Sequence, residues 1–284
     1  MSDTLVKNRF HKPIESLTIG KDDLLKFLKV LQERADSACE IECNHLASMV
    51  PPVDKLEQSI ESLKSCALLK LTLTGSDGEE LFGSIDEIFD SVSFPEQVKS
   101  VYVSSELLYE FKFNHPPRNR FRVLLDFTKP RVLDFSFLPS ESTPNDSFFT
   151  VEGYDNTWVN GVFNEIDKFF DRRSSTFPRI HKNSFYDFIV WILGIPMSFW
   201  SCYKLSNEIS NLFSNSFLRS AVFIYVFFLS MLTLRVLFHY FRWLYPKIQY
   251  KSKNDLSSMH RGIFYAITTG LIVTFLYDVL KIIF

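Results

Sequence analysis

The sequence predicts an α+β domain, an antiparallel sheet with a covering helix and a helical N-terminal preface, followed by an α-helical transmembrane region. Three observations carry that prediction. Apolar residues recur at helical spacing early in the chain, alternate with polar residues between about positions 66 and 152, and collect into three long runs over the last hundred residues.

Whole-chain averages conceal this division. A chain of 284 residues with a formal net charge of −2 and 23% charged residues would pass for an ordinary soluble protein. The near balance of acids and bases, with no Lys/Arg block interleaved with aromatics, excludes a nucleic-acid face. Residues before about 180 hold most of the Asp, Glu and Lys, and the remainder is dense in Phe, Leu, Ile, Val and Tyr. The first ten residues lack the apolar core of a secretory signal, which places the start of the chain in the cytosol.

Residues 1–65 form the expected helical region. Leu24, Leu28, Leu31, Ala35 and Ala38 recur at three and four residues, and Pro51-Pro52 ends the pattern. A shorter helix over 53–64 carries Leu56, Ile60 and Leu63 on one side. This pair reads as a hairpin packed on its own domain. A coiled-coil oligomer is the alternative, opposed by Glu42 and His45 in the seam.

Residues 66–180 form the expected α+β domain. Strands over 68–73 and 80–83 flank the turn composition Gly75-Ser-Asp-Gly78. Phe121, Val123, Leu125 and Phe127 alternate, as do Leu133, Phe135 and Phe137. Residues 98–103, 107–113 and 148–152 are further strands, giving an antiparallel meander. A helix capped by Asn156 follows, with Trp158, Val162, Ile166 and Phe169 or Phe170 on the face that covers the sheet.

Residues 184–284 form the expected membrane region, with spans at 185–203, 221–241 and 263–284. Each is about 20 residues long, the length needed to cross ~30 Å of hydrocarbon. The first contains Asp187, Gly194 and Pro196 and the third ends in Asp278 and Lys281, so a two-span hairpin with one re-entrant or interfacial run is the alternative. Basic residues set the orientation. Arg172, Arg173, Arg179 and Lys182 precede the first run, Lys204 and Arg219 follow it, and Arg242, Lys247, Lys251, Lys253 and Arg261 lie between the second and third. Basic-rich loops stay inside, which gives a cytoplasmic N-terminal domain and a C-terminus on the opposite side.

Three groups of residues are candidate sites. Gly194, Ser198 and Cys202, then Gly262, Ala266 and Gly270, form small-residue stripes for helix packing within the chain or in a homo-oligomer. Asp187, Arg235 and His239 form a candidate intramembrane polar contact, with snorkelling of Arg235 to the headgroups as the plainer account. Arg242, Trp243, Tyr245 and Lys247 read as interface anchors against the lipid bilayer.

Motifs for catalysis are missing. The sequence has no Gly-x-Gly-x-x-Gly, P-loop, Gly-x-Ser-x-Gly or His-Glu-x-x-His. Cys39, Cys43 and His45 lack a fourth ligand and read as reduced thiols beside a surface His. His115, Arg122, Asp126 and Asp134 read as surface charges of a half-buried sheet. Asn145-Asp-Ser147 matches a glycosylation acceptor on the wrong side of the membrane. No enzyme activity, cofactor or metal is expected. The function that follows is a membrane-anchored sensor, adaptor or effector binding an unknown protein or small ligand. A subunit of an oligomeric channel or transporter is the alternative. The first reading also expects the fragment of residues 1–174 to be expressed alone and to keep partner binding.

Overall fold

A computed structural model of the chain describes residues 6–49, 54–133, 142–175, 177–252 and 255–283. The chain divides into two compact units. The first is Met1–Thr128, Asn145–Ser175 and Ile248–Asn254, and the second is Lys129–Pro144, Thr176–Lys247 and Asp255–Phe284.

The first unit opens with two strands that the sequence reading missed, β1 (Asn8–Pro13) and β2 (Leu17–Gly20). Helix α1 (Lys21–Met49) follows, with Asp22 and Asp23 in its first turn, where carboxylates complement the helix dipole. Its expected stripe is buried, with Phe27 added to it. Helix α2 (Asp54–Cys66) packs Leu63 and Cys66 near Cys43 and Tyr109 in a small satellite cluster. Pro51 and Pro52 lie outside the described residues.

Strands β3 (Lys70–Gly75) and β4 (Glu80–Ser84) form the expected hairpin, and Gly78 supplies its turn at φ 86°, a conformation that costs other residues about 1–2 kcal/mol. Helix α3 (Ile85–Phe89) starts at a capping box in which Ser84 and Glu87 exchange side-chain to backbone hydrogen bonds. Strand β5 (Val98–Ser104) leads into α4 (Leu107–Phe113), a helix where the sequence suggested a strand. Seven alternating residues fit either state. The decision is tertiary: β5 pairs directly with β6 (Arg120–Asp126), so no sheet position is left between them. Asn114, left-handed at φ 57°, ends α4.

Strand β7 (Phe148–Gly153) and helix α5 (Asn156–Asp171) complete the domain. The cap of α5 is Asp155, which accepts from Trp158 N at 3.0 Å, one residue before the expected Asn156. Of the alternation at Leu133, Phe135 and Phe137, only Leu133 is described, and it is exposed; Phe135, Phe137 and Asp134 lie outside the described residues.

The sheet has six strands in the order β1-β7-β6-β5-β3-β4, and every neighbouring pair is antiparallel. It is not a simple meander. β3 lies between β4 and β5, and β1 from the chain start adds to the far edge. Leu71, Leu73, Val101, Val103, Phe121, Val123, Leu125, Phe149 and Val151 alternate onto one face, where they share a core with α1 and α5. Helix α1 of the helical preface and the sheet therefore share one hydrophobic core, with α2 in the satellite cluster.

In the second unit, the segment from Thr176 opens with a 3₁₀ turn at Pro178–His181. Helix α6 (Asn183–Ile189) passes through a π turn at Val190–Gly194 into α7 (Ile195–Lys204), together one helical stretch. The wide turn precedes Pro196, which has no N–H to donate and whose ring crowds the preceding turn. Helix α8 (Ser206–Leu212) is short and α9 (Ser216–Leu244) is long. The chain then re-enters the first unit as β8 (Ile248–Lys251), which pairs in parallel with β2: Leu17 faces Ile248 and Ile19 faces Tyr250. Helix α10 (Leu256–Ile283) follows in the second unit, its side chains described in part up to Val273.

Candidate functional site: an inside-out helical unit

Two helical stretches, Asn183–Lys204 and Ser216–Leu244, are long and apolar enough to cross a membrane. The third expected span, 263–284, lies within α10, most of whose side chains are outside the described residues. Only 17% of the first apolar window and 11% of the second is buried. Trp191, Phe199, Trp200, Ile224, Tyr225 and Leu237 point outward. A soluble core helix would hide such side chains.

What these helices hide includes small and polar residues beside Tyr186, Phe238 and Leu244. Ser198 is fully buried and donates to the Gly194 carbonyl at 2.8 Å. A Cβ added to Gly194 would lie 2.8 Å from Leu234 Cδ2 and 3.2 Å from Met231 Sδ, so glycine here permits close approach of α9. Cys202 Sγ reaches the Phe223 carbonyl at 3.5 Å. The Gly194, Ser198 and Cys202 stripe thus lies against α9. The Gly262, Ala266 and Gly270 stripe is exposed, and a Cβ at either glycine meets no atom of the described residues within 4 Å.

Toward the C-terminal end of α9 basic side chains are buried beside Phe238 and Leu244. Arg235, His239 and Arg242 are each at least nine-tenths buried. Tyr186, not the exposed Asp187, is the α6 residue that faces Arg235, whose guanidinium lies 5.7 Å from its ring centre. Arg242 donates through Nε to the Ile180 carbonyl at 2.9 Å and lies 4.7 Å from the Phe238 ring centre. Arg261 caps the end of α9, donating to the Leu244 carbonyl at 2.7 Å, where the helix dipole favours a cation.

Of the four expected interface anchors, Arg242 and Tyr245 are packed inside and Trp243 and Lys247 are half-buried. Trp243 stacks on Tyr240, and His260 stands edge-on to both rings and takes a hydrogen-bond contact from Tyr240 Oη at 3.0 Å. Tyr245 Oη donates to Tyr265 Oη, and burial pushes the Tyr245 phenol up to about 12. Aromatic and basic residues at this position had suggested headgroup contact; here they build a collar around each other.

Sequence reading missed His181, which carried no periodic signal. It is buried, with Nε2 2.8 Å from the Tyr245 carbonyl and Nδ1 2.9 Å from Thr143 Oγ1. A carbonyl only accepts, so Nε2 carries the proton and Nδ1 accepts from the threonine hydroxyl. Both ring nitrogens are satisfied in the neutral form. Burial, aided by the charges of Arg242 and Lys247, lowers its pKa to about 4.

Among the described residues no group of three or more His, Cys, Asp or Glu is placed to hold a metal. Cys39 and Cys43 lie 3.9 Å apart on α1, and burial raises the Cys39 thiol to about 12, far from a reactive thiolate. Arg122 donates to the buried Glu106, and Asp126 donates through its backbone N–H to Ser147 Oγ at 2.7 Å and accepts through Oδ1 from Thr128 N at 2.9 Å, so these sheet residues serve the fold. His45 contacts Arg118, and His115 is exposed. No protein-family model, curated protein or solved structure matches the chain.

Proposed function

We propose that the chain is a membrane-anchored adaptor or sensor whose α+β unit stands on the cytoplasmic side and binds a protein or small-ligand partner. The observation that carries the membrane half of this reading is the outward exposure of most aromatics and aliphatics of the two apolar helical stretches, while Ser198, Arg235, His239 and Arg242 are buried beside Tyr186, Phe238 and Leu244. Hydrocarbon is a solvent for which that arrangement is favourable.

Strand β8 supports the sidedness. It lies between α9 and α10 yet pairs with β2 of the N-terminal unit. Partners in one sheet share one side of a bilayer, so the chain between them crosses an even number of times. Two candidate spans satisfy that condition, and the basic residues near both segments favour the cytoplasm. The channel reading draws less support, because the polar residues of α9 are buried against Tyr186, Phe238 and the Ile180 carbonyl.

Alkaline carbonate extraction with impermeant maleimide labelling tests the proposal. The full chain is expected to stay in the membrane, and cysteines introduced at Asn207 and at Lys99 are expected to label from opposite faces. Release by carbonate, or labelling of both from one face of sealed vesicles, would remove it. The adaptor half is tested by crosslinking with mass spectrometry in native membranes: partners are expected on the α+β unit, and crosslinks confined to lipid-facing helices would count against it.

A further inference from the structure

The α+β unit carries a groove of about 500 Å³ between α1 and α5. Four cations line it against one carboxylate: Arg34 from α1, then Lys168, Arg172 and Arg173 at the end of α5, with Glu165 among them. Arg34 is held by Glu165 at 2.8 Å, and Arg173 by Asp23 at 2.9 Å while its guanidinium rests 3.9 Å from the Phe169 ring centre. Lys168 and Arg172 are exposed and, among the described residues, have no ion-pair partner.

Lys168 and Arg172 are four residues apart and share a helix face, a like-charge arrangement that is mildly destabilising in a helix of its own. The α5 C-terminus offsets that cost, since its dipole favours cations. It does not call for Arg34, which comes from the other wall. Charges converging from two helices on one open groove complement a group with several anionic oxygens, and arginine forks match phosphate oxygens in pairs. Ten residues after Arg173 the first candidate span begins, so a bilayer crossed by it keeps headgroups within about 35 Å of the groove.

We infer that this groove binds the phosphorylated headgroup of an anionic membrane lipid, with Lys168 and Arg172 as its open contacts and Arg34 and Arg173 as pre-oriented ones. The inference rests on the membrane reading for its lipid source. The test uses the full chain in dodecyl maltoside micelles, titrated with dioctanoyl phosphatidylinositol 4,5-bisphosphate, dioctanoyl phosphatidylserine and free inositol 1,4,5-trisphosphate.

The bisphosphate lipid is expected to bind at least tenfold more tightly than the serine lipid. The pair Lys168→Gln and Arg172→Gln, both exposed, should weaken it at least tenfold. The pair Lys99→Gln and Arg131→Gln, which removes the same charge outside the groove, should leave it within twofold. Absence of binding, or equal loss in both pairs, would overturn the groove. Free inositol trisphosphate binding as tightly as the lipid would overturn the lipid source. Carbonate release of the chain would instead sink the membrane reading, while the groove's affinity would still be measured.

Discussion

The two units of the chain treat their buried ions and their apolar surface differently. In the first, α1, α5 and the sheet enclose aliphatic and aromatic side chains, and the buried ions meet ions: Glu106 lies between Arg120 and Arg122, and Glu152 takes Lys7 at 3.1 Å and Arg120. In the second, apolar rings face outward, while Arg235 and Arg242 are met within by aromatic faces and a backbone carbonyl. One polypeptide thus follows two patterns of burial, and in the proposed membrane reading the change of pattern marks a change of solvent.

The contrast is most severely tested at β8, the segment that returns from one unit to the other. Ile248 is buried in the core of the first unit, and β8 is the ladder partner of Leu17 and Ile19, themselves at most 1% exposed. A fragment of residues 1–174 therefore leaves β2 unpaired. Its loss is expected to reach about 5 kcal/mol, comparable to the whole stability of a domain. Urea unfolding followed by circular dichroism should show no cooperative transition, and a fragment that adds 247–252 through a Gly/Ser linker should recover one. Equal midpoints for the two fragments would show that the first unit closes without the loop.

Acid is expected to act next most strongly, and on the second unit. The pKa of His181 in the folded chain, about 4, lies below its unfolded value near 6.5. The unfolded chain therefore takes up the proton first as pH falls. Stability is complete above about pH 6.5 and is lost toward pH 4, by at most about 3 kcal/mol. Thermal unfolding of the detergent-solubilised chain should show this slope, and His181→Gln, which keeps a donor for the Tyr245 carbonyl, should flatten it.

Smaller effects separate the two small-residue stripes. Gly194→Leu forces a side chain into Leu234 and Met231 and is expected to cost about 1–3 kcal/mol. Gly270→Leu meets open space in the same chain and should change stability by less than about 0.5 kcal/mol. A large loss at Gly270 would mean that a second chain covers that face. Least of all, Trp200→Leu on the outward surface should fall within the same 0.5 kcal/mol in micelles, whereas a core helix would lose several times as much.

These differences also explain what could be read in advance. The stripe of α1, the covering face of α5 and the alternation of β6 depend on residues a few positions apart, and each was legible. β1, β2 and β8 were not. Asn8–Pro13 is a polar edge strand, and Ile248–Lys251 sits in a lysine-rich loop whose partner is roughly 230 residues earlier in the chain. No local period records such a pairing. The capping box at Ser84 and Glu87 was present as a Ser-x-x-Glu spacing and was missed beside the stronger hairpin pattern. The sites divide similarly. Gly194 and Gly262 have the same neighbours in pattern, and only the facing helix distinguishes them. Asp187 was chosen for its charge, yet helix rotation gives Tyr186 the inward position.

The parallel pairing of β2 with β8 has a consequence in time. Translation delivers Leu17 early and Ile248 only after α9 has been made, so the α+β unit waits, incomplete, while both candidate spans leave the ribosome. Non-local strands form slowly because their loop must close first. If the helices fail to reach their proper side, β8 never arrives and the unit keeps an unpaired strand of the kind that invites aggregation. On the proposed membrane reading, finished folding of the N-terminal unit would then be a record that the hairpin was inserted.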